Sequence, residues 1–313
     1  LVHVSAVVPQ GGRIQGGTRV VVLGSMFADH AVHCRFGTEL VEAKLLNGSA
    51  LECIAPVRGA AVVETVEVTL NKDIEGHSLT SDGVEYHFYD ESAVVVTSVF
   101  PLGGPALGGT NVTVTGSGFA DRGGVFCRFG GEVGVEVPAL GGVVPATLLS
   151  PTELLCLSPA ANMDGEVATV ELTLNDDLYA FIPSSVVFLY ENTTSALVTA
   201  TLPVAGPMAG GSLLEVSGVD FRDHGTLLCR FGSRAAVTNA TLVSSSLMRC
   251  RTPPFTGPRL LSTVPADGQH EWARVSLNGQ QYLRSEADFV FFEQPLVHVS
   301  AVVPQGGRIQ GGT

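Results

Sequence analysis

Six cysteines carry most of the chemical potential of this sequence, and they fall in pairs: Cys34 with Cys53, Cys127 with Cys156, and Cys229 with Cys250. Thiols can attack a substrate, hold a metal or oxidise to a bridge. Zinc is disfavoured, because no pair has the close Cys-x-x-Cys spacing or a nearby second pair. The eight histidines are dispersed. The densest polar cluster, Asp29, His30 and His33, could seed a metal site, but the parallel stretch further along carries Arg122 and Phe126, which reads as a solvated loop. Asp176 and Asp177 resemble calcium-loop acids, yet no spaced Asp-x-Asp-x-Asp-Gly loop follows them. The Gly116–Gly118 "GSG" lacks the downstream Lys-Ser/Thr and helix of a phosphate loop. No Ser/His/Asp set or carboxylate pair recurs. The expectation is a chain with no catalytic residues, no cofactor and no metal. Modification chemistry is another matter: four of the eight asparagines, Asn47, Asn111, Asn192 and Asn239, head an Asn-x-Ser/Thr sequon.

The elements that must position these residues are short strands. Thirty-seven Gly, 17 Pro, 7% aromatic residues and Val/Leu/Thr-rich apolar runs favour strands joined by tight turns, and helical periodicity is nearly absent. The chain also repeats itself. "VVPQGGRIQGGTRVVVLGSMFADHAVHCRFG" from Val7 aligns with stretches from Val99 and Thr201, placing "CRFG" at Cys34, Cys127 and Cys229, at intervals of 93 and 102 residues. Each copy continues to a Cys followed by Pro ("LECIAP", "LLCLSP", "MRCRTPP"). A strand, a turn opened by "LN" and an aromatic terminal strand come next ("VEYHFY", "VVFLY", "FVFF"). On a larger scale Leu1–Thr18 returns unchanged as Leu296–Thr313.

Seven or so strands in about 95 residues match an immunoglobulin-like sandwich. The Gly-Gly-Thr start, the Val-x-Val-x-Gly-x-x-Phe strand, Cys-Arg-Phe-Gly and Cys-x-x-Pro together resemble the IPT/TIG family, the Ig-like domains of plexins, related receptors and some transcription factors. The resemblance covers the chain three times, with Ala205 and Ser212 as small departures in the third copy. It implies an all-β chain of three tandem sandwiches, 1–91, 92–193 and 194–295, with 296–313 as the first strand of a fourth. Gly16–Gly17, Gly108–Gly109 and Gly210–Gly211 stand where positive φ or close backbone approach suits glycine. Gly24, Gly116 and Gly218 are read as turning the chain, and Phe27, Phe119 and Phe221 as plugging the core. The antibody-type Trp is missing, since the sole Trp is Trp272, so the antibody disulfide topology is not carried over.

With one Cys pair per domain, reduced cysteines acting as small buried hydrophobes remain an alternative. Equal pairing in three copies is better explained by oxidation in an extracellular compartment, which would stabilise each domain by roughly 3 kcal/mol. Strand alternation turns Asn111 outward, opposite Val112 and Val114, where a glycan is tolerated.

The net charge of −13 argues against nucleic acid as a partner, and no apolar run approaches the length of a membrane span. Only a few residues, Asp90–Ala93, 191–196 and 293–295, separate successive beads, too few for a flexible coil. The expectation is an extracellular structural repeat protein, a glycosylated stalk, fibre or filament whose partners are further copies of itself and N-linked glycans. The alternative is a receptor or adhesion ectodomain with a protein ligand.

Overall fold

A computed structural model describes residues 2–28, 31–71, 78–130, 142–161, 167–191, 195–232, 236–255 and 269–293. Asn192, Asp29, His30 and the returning segment 296–313 lie outside the described residues. The chain divides into two compact units, Leu1–Glu191 and Asn192–Thr313. Among the described residues the strands fall into three sheet systems of eight, eight and nine strands.

The first sandwich shows the plan. Alternating apolar residues turn Val4 and Val7 of His3–Val8, and Val20 and Val22 of Arg19–Ser25, into the core. These two strands pair antiparallel, and Ala50–Ile54 pairs on the far side of Arg19–Ser25. The opposite sheet holds His33–Phe36, Val62–Thr69 and Val84–Tyr89. Two segments serve both sheets. The opening strand ends at Val8, and the chain re-enters at Gly11–Arg13 in parallel with Val84–Tyr89. Glu39–Asn47 pairs through Glu39–Glu42 with the Cys34 strand and then through Ala43–Asn47 with the Cys53 strand.

The same exchange recurs in Val143–Ser150 and Ala236–Ser244. Gly103–Pro105 and Ala205–Pro207 likewise repeat the parallel addition to the last strand.

Two separate motifs meet in each core. The Phe of "CRFG" packs edge-on against the aromatic terminal strand: Phe36 lies 5.2 Å from Tyr86 and 6.0 Å from Phe88, Phe129 lies 5.5 Å from Phe188, and Phe231 lies 5.5 Å from Phe289. Edge-to-face packing suits ring quadrupoles and adds to the gain from burying their area. The structure corrects one sequence reading. Gly24, Gly116 and Gly218 do not turn the chain; they sit inside strands at a register shift. A Cβ on Gly24 would fall 2.0 Å from the His3 carbonyl oxygen and 2.6 Å from the Phe27 ring. The missing side chain is the slot that admits the Phe plug, and Phe27, Phe119 and Phe221 are all buried. At the Gly-Gly pairs the expectation holds: φ is positive at all six residues, from +71° to +87°.

Candidate functional site

Each pair of cysteines forms a disulfide within its own sandwich, with Cα atoms 6.4 Å apart in all three. The placement follows from the strand that changes sheets. Cys34 pairs with Val41 before the change, and Cys53 pairs with Ala43 after it. The bridge therefore joins the two sheets at the point where one strand passes between them, and its sulfurs belong to residues that are almost fully buried. The arginine after the first Cys points away from the core. Arg128 donates from Nε to the buried Glu171 at 2.7 Å and lies 4.2 Å over the Phe181 ring, while Arg230 lies 3.7 Å over Tyr282.

A second arrangement, absent from the motif reading, joins the first two sandwiches. Both backbone polar groups of Gly11 are used by the second domain: its N–H donates to the Arg122 carbonyl at 3.1 Å, and its carbonyl accepts from Asn175 Nδ2 at 3.2 Å. The receiving loop is held from behind. Asp121 Oδ1 accepts the N–H groups of Gly123 and Gly124 at 2.9 Å, Arg122 N–H donates to the Leu174 carbonyl at 2.8 Å, and Asp176 N–H donates to the Gly124 carbonyl at 2.8 Å. Backbone approach is close: a Cβ on Gly123, whose φ is +123°, would lie 2.7 Å from Pro9 Cα.

Charges flank this contact. Arg13 reaches Glu91 at 3.4 Å and Asp177 at 4.0 Å. Tyr89, at the end of the first domain, packs against the core of the second. Burial pushes the Tyr89 hydroxyl above its ordinary value, and the carboxylates of Glu91 and Asp177 push the same way. Burial, reinforced by the Arg122 cation, lowers His87 below the ordinary imidazole value despite Glu85. The link itself is one 3-10 turn, Glu91–Ala93. Asp90 caps it by accepting Ser92 N–H at 2.9 Å and Ser92 Oγ–H at 2.7 Å. Two neutral hydrogen bonds at about 1 kcal/mol each would favour the docked arrangement roughly thirtyfold.

The remaining sequence candidates are spread over the surface. Asn47 is exposed on a hairpin, where its Oδ1 accepts both Ser49 N–H and Ser49 Oγ–H at 2.8 Å. Asn111 and Asn239 are exposed on strands, and Val112 and Val114 point inward as the alternation requires. His33 bonds the Ala31 carbonyl at 2.8 Å through Nδ1. Among the described residues no three His, Cys, Asp or Glu side chains gather as metal ligands. Asp176 and Asp177 belong to the turn behind the junction, and Asp177 faces Arg13. Gly11, Arg13 and Asn175 escaped the sequence reading, and Arg122, read there as part of a solvated loop, instead accepts the Gly11 N–H through its carbonyl at the junction. Their one signal was the buried polar requirement of the recurrent "LN" turn, where Thr173 donates to Asn175 Oδ1 at 3.0 Å and leaves Nδ2 to reach the neighbouring domain.

Comparison with known proteins agrees with this architecture. The chain is 22% identical over 313 residues to human Fibrocystin-L and 24% identical over 313 residues to the mouse protein, covering 99% of this chain in each case. It spans about 6% of the length of those relatives. Among solved structures, the full extracellular region of plexin A4 superposes with a TM-score of 0.55 at 16% identity, over 94% of this chain and 24% of that one. The model of the IPT/TIG domain matches residues 3–88, 94–190 and 196–285. The chain belongs to the IPT/TIG domain family, as three tandem Ig-like sandwiches.

Proposed function

We propose that this chain is an extracellular spacing and display segment, whose work is mechanical and adhesive rather than catalytic. The observation that carries the reading is the first junction: a capped single-turn link, two hydrogen bonds to the Gly11 backbone and the Arg13 ion pairs oppose free rotation of the first two beads. The beads are taken as 1–91, 92–193 and 194–295. The identity of Leu1–Thr18 with Leu296–Thr313 supports a 295-residue unit that recurs, building a stalk, surface fibre or filament from end-to-end beads. N-linked glycans at Asn47, Asn111, Asn192 and Asn239 would decorate it. At about 3.3 Å per strand residue, three beads in line give an axial repeat on the order of 100 Å.

The likeness to Fibrocystin-L and to the plexin A4 extracellular region favours a second setting for the same segment, the ectodomain of a cell-surface receptor or adhesion protein that binds a protein ligand. Electron microscopy of the natively purified protein separates the two. Filaments with a repeat near 100 Å support assembly from recurrent units, whereas discrete molecules with a membrane anchor support the ectodomain.

A further inference from the structure

The outer face of one sheet differs among the three domains at matched positions. In the first domain the row across the strands runs Val8, Val21, Glu52, Lys44, with Arg19 beside it bonded to Glu52 at 2.8 Å. In the third it runs Leu202, Glu215, Arg249, Thr241, with Arg249 bonded to Glu215 at 2.7 Å and Arg251 alongside. The second domain has Phe100, Thr113, Leu155 and Thr147 in that row, and Asn111 paired with Leu157 in the next. No charge stands in either row. Phe100 is 50% exposed and Leu157 51% exposed, and Val95–Phe100 is the edge strand of its sheet. Glu153, across from Thr115, lies in the row beyond these two, so two uncharged, partly apolar rows run to the edge strand and invite strand-to-strand association.

Asn111 stands at the position that Arg19 holds in the first domain, and it heads the sequon Asn111-Val112-Thr113. We propose that an N-linked glycan on Asn111 covers this face and supplies the hydration and bulk that ion pairs supply in the other two domains. The geometry suits it. Leu157 lies directly across from Asn111, about 5 Å away, and Thr113 is two residues along the same strand, about 7 Å away. The first sugars rooted at Asn111 therefore lie over Leu157 and the Thr113–Leu155 pair. The inference rests on the glycosylation reading above and adds to it a purpose: keeping neighbouring chains from associating laterally through their second domains.

The test uses the full chain secreted from glycosylating cells. Glycopeptide mass analysis should find Asn111 occupied; an unmodified Asn111 overturns both the shield and the glycosylation reading at this site. Asn111→Gln should keep the native circular dichroism spectrum, bind the dye ANS severalfold more strongly and shift from monomer toward oligomer in sedimentation. A variant carrying Thr113→Glu with Leu155→Arg also lacks the sequon but restores the third domain's ion pair, and it should stay monomeric. If Asn111→Gln is not secreted, trimming the folded wild-type chain with an endoglycosidase that leaves one sugar should produce the same association. An occupied Asn111 whose loss or trimming leaves dye binding and monomer unchanged overturns the shield alone.

Discussion

At the buried positions around Cys127 and Cys156 the second domain repeats the first: Val112, Val114, Phe119, Phe129 and Leu154 stand where the first has Val20, Val22, Phe27, Phe36 and Leu51. At the loop Asp121–Gly124 it does not: Arg122 and Gly123 stand where the first domain has His30 and a shorter loop, and the third has His224 and Gly225. The core has one solution because two sheets, a disulfide and an aromatic terminal strand must fill the same volume at close packing. The seam has to match a single neighbour, so its residues vary from copy to copy. Core residues therefore set whether a domain folds, and seam residues set how two folded domains are held.

The largest effects should come from the core. Phe129→Ala removes a ring packed against Phe188 and should cost about 3–5 kcal/mol in denaturant unfolding of the second domain. Replacing Cys127 and Cys156 together by Ala should cost about 3 kcal/mol. Non-reducing peptide maps of the native chain should show only intradomain linkage, and free thiols at most of the six positions would contradict the extracellular reading. At the seam, Asn175→Ala should lose about 1–2 kcal/mol and loosen the two domains, with both core spectra retained in NMR. Limited proteolysis at Asp90–Ala93 should quicken in the same variant.

The smallest effect is electrostatic. His87 is lowered in the folded chain, so the unfolded state takes up its proton first as pH falls. Its contribution to stability is therefore intact above the ordinary imidazole value and declines as pH drops from there toward the folded value. Arg122→Gln should raise the His87 midpoint in an NMR titration, and an unchanged midpoint would remove Arg122 from the account.

Most of the fold was legible because its causes are local. Alternation in Arg19–Ser25 named Val20 and Val22 as buried, paired glycines marked left-handed backbone, and threefold repetition of Cys and Phe marked the core. Gly24 was misread because a glycine that ends a turn and a glycine that yields space to a distant ring look alike in one dimension. The seam was not legible. Gly11 and Asn175 are 164 residues apart, and the Asn175 amide is committed by a contact that exists only once two separate domains have folded. Asp177 resembled a calcium ligand until Arg13 was brought beside it.

Residual dipolar couplings on the isotopically labelled full chain test the fixed seam most directly, because they report the orientation of each domain in a common frame. The account predicts that one alignment tensor fits the amides of both the first and the second domain, and that Asn175→Ala splits it into two of unequal magnitude. Two distinct tensors in the unaltered chain would contradict a seam that holds the domains together.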